Sequence, residues 1–333
     1  MPSKPAHPRV LVTGGAGFIG SHLVERLLDE GSAVTVLDDL STGRASNLDA
    51  ARGIGGTRLE FVQSTIAKGL PTLAGRPFDA VYHLAAAVGV RLVIESPAAS
   101  AERNVADTAE VLRFAAHAGA ATLVASSSEV YGKGVRSPFR EDDDISFGPP
   151  TAARWSYGLS KAIDEHLALA HAAATGLPTA VVRLFNTVGP RQRARWGMVL
   201  PRFVDAALAG RPLEVHGNGA QVRCFCDVRD VAGALPRLIG RAGVGATVYN
   251  LGADVPISII DLARLVVATL GSASPISLVP YERAFGPGFE DLEVRIPDVG
   301  RVRAAIGFSP SVGLADTVRD LAAERARGTE ALA

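Results

Sequence analysis

The chain has 333 residues, of which 47% are hydrophobic and 20% charged, a composition typical of a globular protein with a substantial core. Its 34 Lys and Arg residues balance 34 Asp and Glu residues, so no basic surplus favours nucleic acid or an anionic membrane as a partner. No apolar run approaches the roughly 20 residues of a membrane-spanning helix. Because the first residues also lack the apolar core of a signal peptide, we expect a short flexible tail and a cytoplasmic protein.

Strand patterns and helical patterns alternate along the first half of the chain. An apolar strand at residues 10–12 precedes a helical pattern at 18–30 and a second strand at 33–37. Further strand patterns lie at residues 59–62, 80–84, 122–125 and 180–185, with helical patterns around 104–117 and 161–175. Such alternation, with nearly continuous apolar strands, is typical of a doubly wound parallel sheet, the Rossmann fold of the α/β class.

A glycine-rich segment joins the first strand to the first helix. It reads Thr13-Gly14-Gly15-Ala16-Gly17-Phe18-Ile19-Gly20 and contains the Gly-x-Gly-x-x-Gly fingerprint, whose glycines let backbone amides approach a pyrophosphate. Asp38 ends the second strand, where a carboxylate can bind both hydroxyls of an adenosine ribose and repel a 2′-phosphate. The pattern therefore predicts NAD rather than NADP. Arg44, which could accommodate the NADP phosphate, is interpreted as a loop residue.

Tyr157 and Lys161 form a Tyr-x-x-x-Lys pair at the start of a helical pattern. Residues four apart lie on one face of a helix, so the ammonium can sit beside the phenol. A nearby cation lowers a tyrosine pKa from its ordinary value of about 10. Tyr157 is therefore a candidate acid/base for a sugar hydroxyl, and a hydride acceptor nearby would complete an oxidoreductase site.

The alternation of strand and helix patterns changes after Gly189-Pro190. A helix at about 198–209, a strand at 213–216 and a strand at 221–226 predict a smaller α/β substrate-binding domain. We place the domains at residues 1–186 and 187–333, with some later segments returning to the Rossmann sheet. Cys224 and Cys226 are interpreted as packing residues rather than as a disulfide or metal site, and the acidic run at 141–144 as an exposed loop; no metal is expected.

These stretches together resemble the extended short-chain dehydrogenase/reductases that act on nucleotide sugars. The resemblance extends from the glycine-rich segment to about Leu321, and its motifs are specific for the family but less so for the reaction. Besides the glycine segment and the Tyr157/Lys161 pair, the matching stretches are residues 37–43, His83-Leu84-Ala85-Ala86, Ser126-Ser127-Ser128-Glu129-Val130-Tyr131-Gly132 and residues 183–191.

The resemblance implies a role for each matching position. Tyr157 would be the acid/base, Lys161 would lower its pKa and bond the nicotinamide ribose, and Ser127 would bond the reacting hydroxyl. The other implied NAD-binding residues are Gly14, Gly17, Phe18, Ile19 and Gly20 at the pyrophosphate, Asp38, Asp39, Ser41 and Thr42 at the adenosine ribose, Thr65 and Ile66 near the adenine, and Leu84, Ala85, Ala86 and Asn104 along the cofactor channel. Thr65 departs from the family pattern, in which an Asp-Ile pair is common.

The resemblance also implies a nucleotide-sugar substrate, UDP-linked in our interpretation, and a homodimer built on helices at about 99–118 and 157–174. The implied substrate-binding residues are Asn186, Arg191, Val199, Arg223 and Arg295. The cluster of Arg191, Arg193 and Arg195 either reaches a substrate phosphate or carboxylate or is a solvated basic loop.

The reaction depends on the residues around Ser128-Glu129 and Tyr157. The family's shared first step is oxidation at the sugar C4. Dehydratases carry an Asp-Glu pair where this chain has Ser128-Glu129, which matches the Ser-Glu pair of decarboxylases. The core Tyr-Gly-Leu-Ser-Lys, however, is the epimerase-like form. The sequence therefore predicts an NAD-dependent 4-epimerase of a UDP-glucose or UDP-glucuronate type of substrate. The alternative is a UDP-glucuronate decarboxylase, followed by a 4,6-dehydratase or a non-catalytic NAD-binding protein.

Overall fold

A seven-stranded sheet forms the centre of the molecule. The structure, a computed structural model, describes residues 7–87, 97–194, 198–243, 245–285 and 292–330, so the predicted tail at 1–6 and Arg195 lie outside the described residues. The strands of the sheet are β1 Arg9–Thr13, β2 Ala33–Asp38, β3 Leu59–Gln63, β4 Ala80–His83, β5 Ala121–Ser127, β6 Thr179–Leu184 and β11 Ala246–Leu251. Their order is β11-β6-β5-β4-β1-β2-β3, and every neighbouring pair is parallel.

Helices cover both faces of this sheet because both faces are apolar. Successive strand residues point to opposite sides: Val10 and Val12 belong to one buried cluster, and Leu11 belongs to another. The helices of the amino-terminal half are α1 Phe18–Asp29, α2 Asp49–Gly55, α3 Ile66–Thr72, α4 Pro97–Ala118 and α5 Ser156–Thr175. The doubly wound α/β fold predicted from the sequence is confirmed, and most strand bounds agree within one or two residues.

The remaining elements form a smaller part with three short sheets. Its helices are α6 Val199–Leu208, α7 Val228–Ile239, α8 Ile259–Leu270, α9 Tyr281–Phe285, α10 Gly300–Ile306 and α11 Leu314–Glu330. Its strands are β7 Thr187–Val188, β8 Leu213–His216, β9 Val222–Cys224, β10 Cys226–Asp227, β12 Pro256–Ser258, β13 Ile276–Val279 and β14 Val294–Arg295. Leu235 and Leu238 of α7 join the core cluster of Val10 and Val12, and β11 pairs with β6. The later chain thus does return to the Rossmann sheet; the division after residue 186 stays a prediction.

Three minor sequence interpretations meet different outcomes. Cys224 and Cys226 are both free and buried, which agrees with packing residues. The view of residues 141–144 as an exposed loop is wrong for Glu141, which is only 8% exposed and accepts a hydrogen bond from the Asn250 backbone amide. Its burial follows from that backbone partner, which a local charge pattern does not reveal. Within the described ranges, none of the helices has the length and apolarity to cross a bilayer.

A buried ion pair fixes α5 against the sheet. The Arg183 guanidinium on β6 donates two hydrogen bonds to Glu165 on α5, at 2.9 Å from Nε and 2.7 Å from Nη2. Ser126 on β5 donates to the same carboxylate at 2.5 Å, and Arg183 also bonds the Tyr131 hydroxyl. Such a forked pair is directional as well as strong, so it sets the position of the helix that carries Tyr157.

We expect Glu165→Ala to lower the free energy of unfolding by about 3–5 kcal/mol, because the buried Arg183 guanidinium would lose its compensating charge. Urea denaturation measures this loss. Glu30→Ala is the matched control, since the Arg26–Glu30 pair has side chains 50% and 37% exposed and should contribute less than about 1 kcal/mol. Equal losses in the two variants would show that the buried pair does not stabilise the fold.

Candidate functional site

A cleft of about 690 Å³ opens at the carboxyl ends of the central strands. In open parallel α/β sheets this edge, where the strand order reverses, is where ligands bind. The loops after β1, β2, β4 and β5 line one side of the cleft, and residues of the smaller part line the other. Residues far apart in sequence therefore share one cavity, as the predicted cofactor and substrate sites require.

The glycine-rich loop after β1 is shaped for close approach. Gly14 has a positive φ of 73°, and a Cβ placed there would lie 2.6 Å from the backbone nitrogen of Ala85. A Cβ on Gly20 would lie 2.1 Å from the Gly14 carbonyl oxygen, so only glycine lets α1 begin so near the loop. Gly17, Phe18 and the residues after them bring the amino end of α1 to the cleft, where helix amides favour an anionic group.

The carboxylate of Asp38 ties the end of β2 to the glycine loop. Its Oδ2 accepts a hydrogen bond from the Ala16 amide at 2.9 Å, and its Oδ1 accepts one from the Leu40 amide at 2.8 Å. Burial raises the pKa of Asp38, whereas the two backbone amides lower it. The neighbouring Asp39 pairs with Arg103 of α4. Both carboxylates therefore lie in the cleft at fixed positions.

The other predicted cofactor residues differ in their exposure to the cleft. Ile19, Ser41 and Thr42, Thr65 and Ile66, and Leu84, Ala85 and Ala86 line it. Asn104 does not line it, because its buried side chain accepts a hydrogen bond from the Ala87 amide at 2.7 Å and so holds the loop after β4. Asn104 thus contacts the wall of the cleft rather than its interior.

Tyr157 comes close to Ser127 and Glu129 because a glycine follows it. Gly158 lies on α5, and a Cβ at this position would be 2.5 Å from the Glu129 carbonyl oxygen. The helix can therefore pack directly on the 3₁₀ turn Ser128–Tyr131 that ends β5. The Ser127 hydroxyl caps this turn by accepting from the Glu129 amide at 3.2 Å, and it also hydrogen-bonds Tyr157. Ser127, Ser128, Glu129 and Tyr157 all line the cleft.

The pKa of Tyr157 is raised, not lowered as the sequence pattern predicted. Burial raises it first, the negative charges of Glu129 and Asp164 raise it further, and the bond with Ser127 lowers it. Lys161 does not line the cleft; its ammonium donates to the Ala125 carbonyl and to Asp164, both at 3.0 Å. The cation that was expected to favour the phenolate is thus already paired with a carboxylate on its own helix.

A cluster of charges surrounds Glu129 at the same end of the cleft. Arg295 donates to Glu129 at 2.6 Å and Arg154 does so at 3.2 Å. Burial alone would raise the pKa of Glu129, but the attraction of Arg295 and Arg154 outweighs it and lowers the pKa to about 2. Arg223 also acts on this carboxylate, and it lies beside Arg295 in the β9–β14 pair. The surroundings of Glu129 are therefore strongly positive.

Asn186 and Val199, two predicted substrate residues, also line the cleft. The Asn186 amide donates to the Cys224 carbonyl at 2.9 Å, which links the end of β6 to β9. Arg223 donates to the carbonyls of Val222 and Leu292, both at 2.8 Å. The Asn186 bond therefore links the smaller part to the Rossmann half, whereas the two Arg223 bonds stabilise the smaller part itself.

The basic loop after β7 lies across the cofactor side of the cleft. Arg191 pairs at 2.5 Å with Glu25 of α1, and Arg193 donates to the Thr42 carbonyl at 3.4 Å. Both arginines line the cleft, and Arg191 adopts a positive φ of 71°. The loop is therefore not simply solvated, because it contacts α1, the loop after β2 and, through the Arg191 amide and Glu324, α11.

Arg154 is the main site residue that the sequence did not reveal. It comes just before Tyr157, and its guanidinium lies 5.2 Å from the ring centre of Trp155. The sequence does show an arginine and an aromatic residue shortly before the Tyr-x-x-x-Lys pair, a combination that can form a cation–π contact. Only the fold shows that the arginine, Arg154, faces Glu129. Among the described residues, there is no group of three or more His, Cys, Asp and Glu side chains that could hold a metal ion.

A family model, that of the NAD dependent epimerase/dehydratase family, matches residues 10–252 of the chain. The UDP-N-acetyl-alpha-D-glucosaminuronate decarboxylase of Bacillus cytotoxicus is 37% identical over 93% of this chain and 97% of its own. The UDP-glucuronic acid decarboxylase 1 of Xenopus tropicalis is 33% identical over 94% of this chain and 70% of its own.

One solved structure is similar to this chain along nearly its whole length. It is the UDP-glucose-4-epimerase of Stenotrophomonas maltophila with bound NAD, and it has a TM-score of 0.86 and 27% identity over 98% of this chain and all of that one. These similarities confirm the resemblance noted in the sequence. The chain belongs to the NAD dependent epimerase/dehydratase family and is an NAD-dependent enzyme with the Rossmann fold of that family.

Proposed function

We propose that the enzyme is a decarboxylase of a UDP-linked uronate, a nucleotide sugar with a carboxylate on C5. The relatives named as decarboxylases of UDP-N-acetylglucosaminuronate and of UDP-glucuronate support this reaction. Their names support decarboxylation over the 4-epimerisation that the Tyr-Gly-Leu-Ser-Lys core favoured. UDP-glucuronate and its 2-acetamido counterpart are the two candidate substrates.

The observation that carries the proposal is the arginine cluster around Glu129. Arg154 and Arg295 bring two positive charges to one carboxylate, next to the tyrosine that would act on C4. The Nε of Arg295 has no hydrogen-bond partner in the part of the chain that the structure describes. A site with surplus guanidinium charge suits an anionic sugar, because arginine binds carboxylates in a forked geometry. A neutral hexose would offer these two arginines no carboxylate in addition to Glu129.

The cleft fits NAD by its own geometry. Gly14 and Gly20 leave room that a Cβ would fill, the amino end of α1 faces the cavity, and Asp38 stands at the end of β2. The predicted NAD-binding residues that line the cleft keep their proposed roles, Asn104 would act through the loop that it holds, and Lys161, which is buried beside Asp164, is not assigned a direct contact with NAD. Bound NAD would supply the hydride acceptor for C4 and return the hydride at the end of the reaction.

The side chains divide the chemistry among them. Tyr157 would take the proton of the C4 hydroxyl while Ser127 bonds the same oxygen. Once C4 is a ketone, the C5–C6 bond can break, because its electron pair passes to the C4 oxygen as carbon dioxide leaves. Arg154 would hold the carboxylate, and Glu129 beside it would raise the energy of the charged group relative to neutral carbon dioxide. A proton then replaces the lost group on C5, and Tyr157 returns its proton to the C4 oxygen.

A UDP-uronate 4-epimerase is the second candidate. It would use the same arginines to bind the carboxylate but leave the C5–C6 bond intact. The Tyr-Gly-Leu-Ser-Lys core and the similarity to a UDP-glucose-4-epimerase structure favour it. The two reactions differ in the fate of one carbon atom, so one labelling experiment separates them.

We expect the purified enzyme to release labelled carbon dioxide from UDP-glucuronate or UDP-N-acetylglucosaminuronate carrying ¹³C in the carboxyl group. Mass spectrometry should show a product lighter by one carbon dioxide. A product of unchanged mass and altered stereochemistry, without labelled carbon dioxide, would replace the proposal with the epimerase. Turnover of neither uronate would contradict both.

In the same assay, Glu129→Gln should lower carbon dioxide release by about 100-fold or more, because the variant keeps the shape but loses the charge beside the departing carboxylate. Tyr157→Phe should abolish turnover. Glu30→Gln, which removes an exposed carboxylate of the Arg26–Glu30 pair, is the matched control and should stay near wild type. A Glu129→Gln variant within about tenfold of wild type would exclude this role for Glu129.

Gly20→Ala should remove NAD from the purified enzyme, because its Cβ would lie 2.1 Å from the Gly14 carbonyl oxygen and push α1 away from the glycine loop. The measurement is the amount of NAD(H) released on denaturation. Gly233→Ala, a helical glycine with no atom within 4 Å of the added Cβ, is the control and should keep its cofactor. Normal NAD content in Gly20→Ala would show that the cofactor lies elsewhere.

We further propose that the enzyme is a homodimer built on α4 and α5. Leu159 and Ile163 of α5 are 38% and 48% exposed, which is high for large apolar side chains. They lie beside Val105 and small residues of α4, on a shallow apolar surface. Two copies packed through these helices would form a four-helix bundle and bury that surface.

Ile163→Asp should therefore give a monomer at micromolar concentration, because a carboxylate would lie in the centre of the apolar contact. Sedimentation velocity measures the change. Leu278→Asp on β13, a site 57% exposed, is the control and should leave the dimer intact. A wild-type enzyme that sediments as a monomer would contradict the assembly.

A further inference from the structure

Lys161 and Asp164 form an ion pair in the interior of the protein. Both side chains are almost fully buried, 3% and 0% exposed, and they lie three residues apart on α5. The ammonium also donates to the Ala125 carbonyl at the end of β5. Removing two charges from water is costly, so a pair of this kind needs both its geometry and its partners to be well placed.

The carboxylate of Asp164 adjoins a second set of buried polar groups. The Thr108 hydroxyl on α4 lies close enough to lower the pKa of Asp164, although burial, the larger effect, raises it. Thr108 is 3.1 Å from Nε2 of His83, whose Nδ1 is 2.8 Å from the Thr13 hydroxyl. Thr13, His83 and Thr108 are each at most 2% exposed. This buried polar series runs from β1 to the helix that carries Tyr157.

The Lys161 ammonium is the charged partner of Asp164. Its Nζ donates to Oδ2 at 3.0 Å, and the Thr108 hydroxyl is the other hydrogen-bonding neighbour of the carboxylate. The negative charge of Asp164 therefore acts first on Lys161, and it also raises the pKa of Tyr157 on the same helix. Glu165, the next residue, is held by Arg183 and does not compete for Lys161.

The titratable groups near Tyr157 come from several elements. Glu129 approaches from the turn after β5, with Arg154 and Arg295 paired to it. Asp164 approaches from α5 itself, with Lys161 as its partner. His83 on β4 lies behind Lys161, and burial together with that cation lowers its pKa, so it is neutral.

We propose that Asp164 is a positioning residue that holds the Lys161 ammonium against the Ala125 carbonyl. Its negative charge partly offsets the positive charge of Lys161, so that Tyr157 keeps its proton until cofactor and substrate bind. Asp164 touches no reacting atom in this role. It acts through Lys161, and it sets the pH at which the tyrosine can begin C4 oxidation. The inference rests on the proposed function in one respect: Tyr157 is taken as the base that acts on the C4 hydroxyl. A decarboxylase and an epimerase share that step.

The direct test is a spectrophotometric titration of Tyr157 in the NAD-bound enzyme. The chain has five tyrosines, so the phenolate absorbance of each protein is corrected by subtracting that of its Tyr157→Phe counterpart. Asp164→Asn keeps the shape and an acceptor for Lys161 but removes the negative charge. We expect it to lower the pKa of Tyr157 by about 1 unit. Asp29→Asn, an exposed change of the same net charge, should leave that pKa unchanged.

The same variant has a kinetic consequence. If the phenolate forms at lower pH, the acid limb of the pH profile for C4 oxidation moves to lower pH by the same amount as the titration. Asp164→Glu, which restores the charge, should move it back toward wild type. A merely structural role would lower activity at every pH and leave the position of the limb unchanged.

An unchanged or raised pKa of Tyr157 in Asp164→Asn would overturn the proposal. If that variant does not fold, Asp164→Ser, which is also neutral and can still accept from Lys161, takes its place with the same expected direction. The titration needs no turnover, so it remains informative if neither uronate is a substrate. That result would refute the proposed function and leave the assignment of Asp164 to be decided by the titration.

Discussion

The carboxylate of Glu129 joins three segments that are far apart in the chain. It follows β5, it pairs with Arg154 just before α5, and it pairs with Arg295 on β14, more than 160 residues later. The Arg295 bond joins the smaller part to the Rossmann half at the end of the cleft where Tyr157 lies, in addition to the bond from Asn186 to Cys224. In the proposed function, this cluster would help to position the substrate sugar relative to the tyrosine.

In the proposed function, the same cluster would determine which sugar the site prefers. Two guanidinium groups against one carboxylate leave a positive surplus in a partly buried site, where charges interact more strongly than in water. The pKa of Glu129, about 2, means that the carboxylate stays ionised throughout the physiological range. An anionic substrate can use the surplus charge, while the ionised Glu129 limits how far that anion is stabilised. This combination suits a carboxylate that must be bound and then lost.

Much of the Rossmann half could be predicted from the sequence, because its signals are local. The glycine loop, Asp38 at the end of β2 and the apolar strands each depend on neighbours within a few residues. The surroundings of Tyr157 could not be predicted in the same way. Arg154 faces Glu129 only because Gly158 lets α5 pack on the turn after β5. The partner of Lys161 is Asp164, a residue that reads as one more polar position on a helix. Both depend on tertiary packing, which spacing along the chain does not encode.

The charge preference of the site is tested most directly by equilibrium binding to the NAD-loaded Tyr157→Phe variant, which cannot turn over its ligand. Titration calorimetry with UDP-glucuronate and with UDP-glucose isolates the contribution of the carboxylate. A hydrogen-bonded charge contributes about 1.5–3 kcal/mol, so UDP-glucuronate should bind roughly 10- to 100-fold more tightly. Adding Arg154→Gln should remove most of that preference. Equal affinities for the two ligands would contradict a site built for a uronate, and a preference that survives the loss of Arg154 would contradict the role of Arg154 in holding the carboxylate.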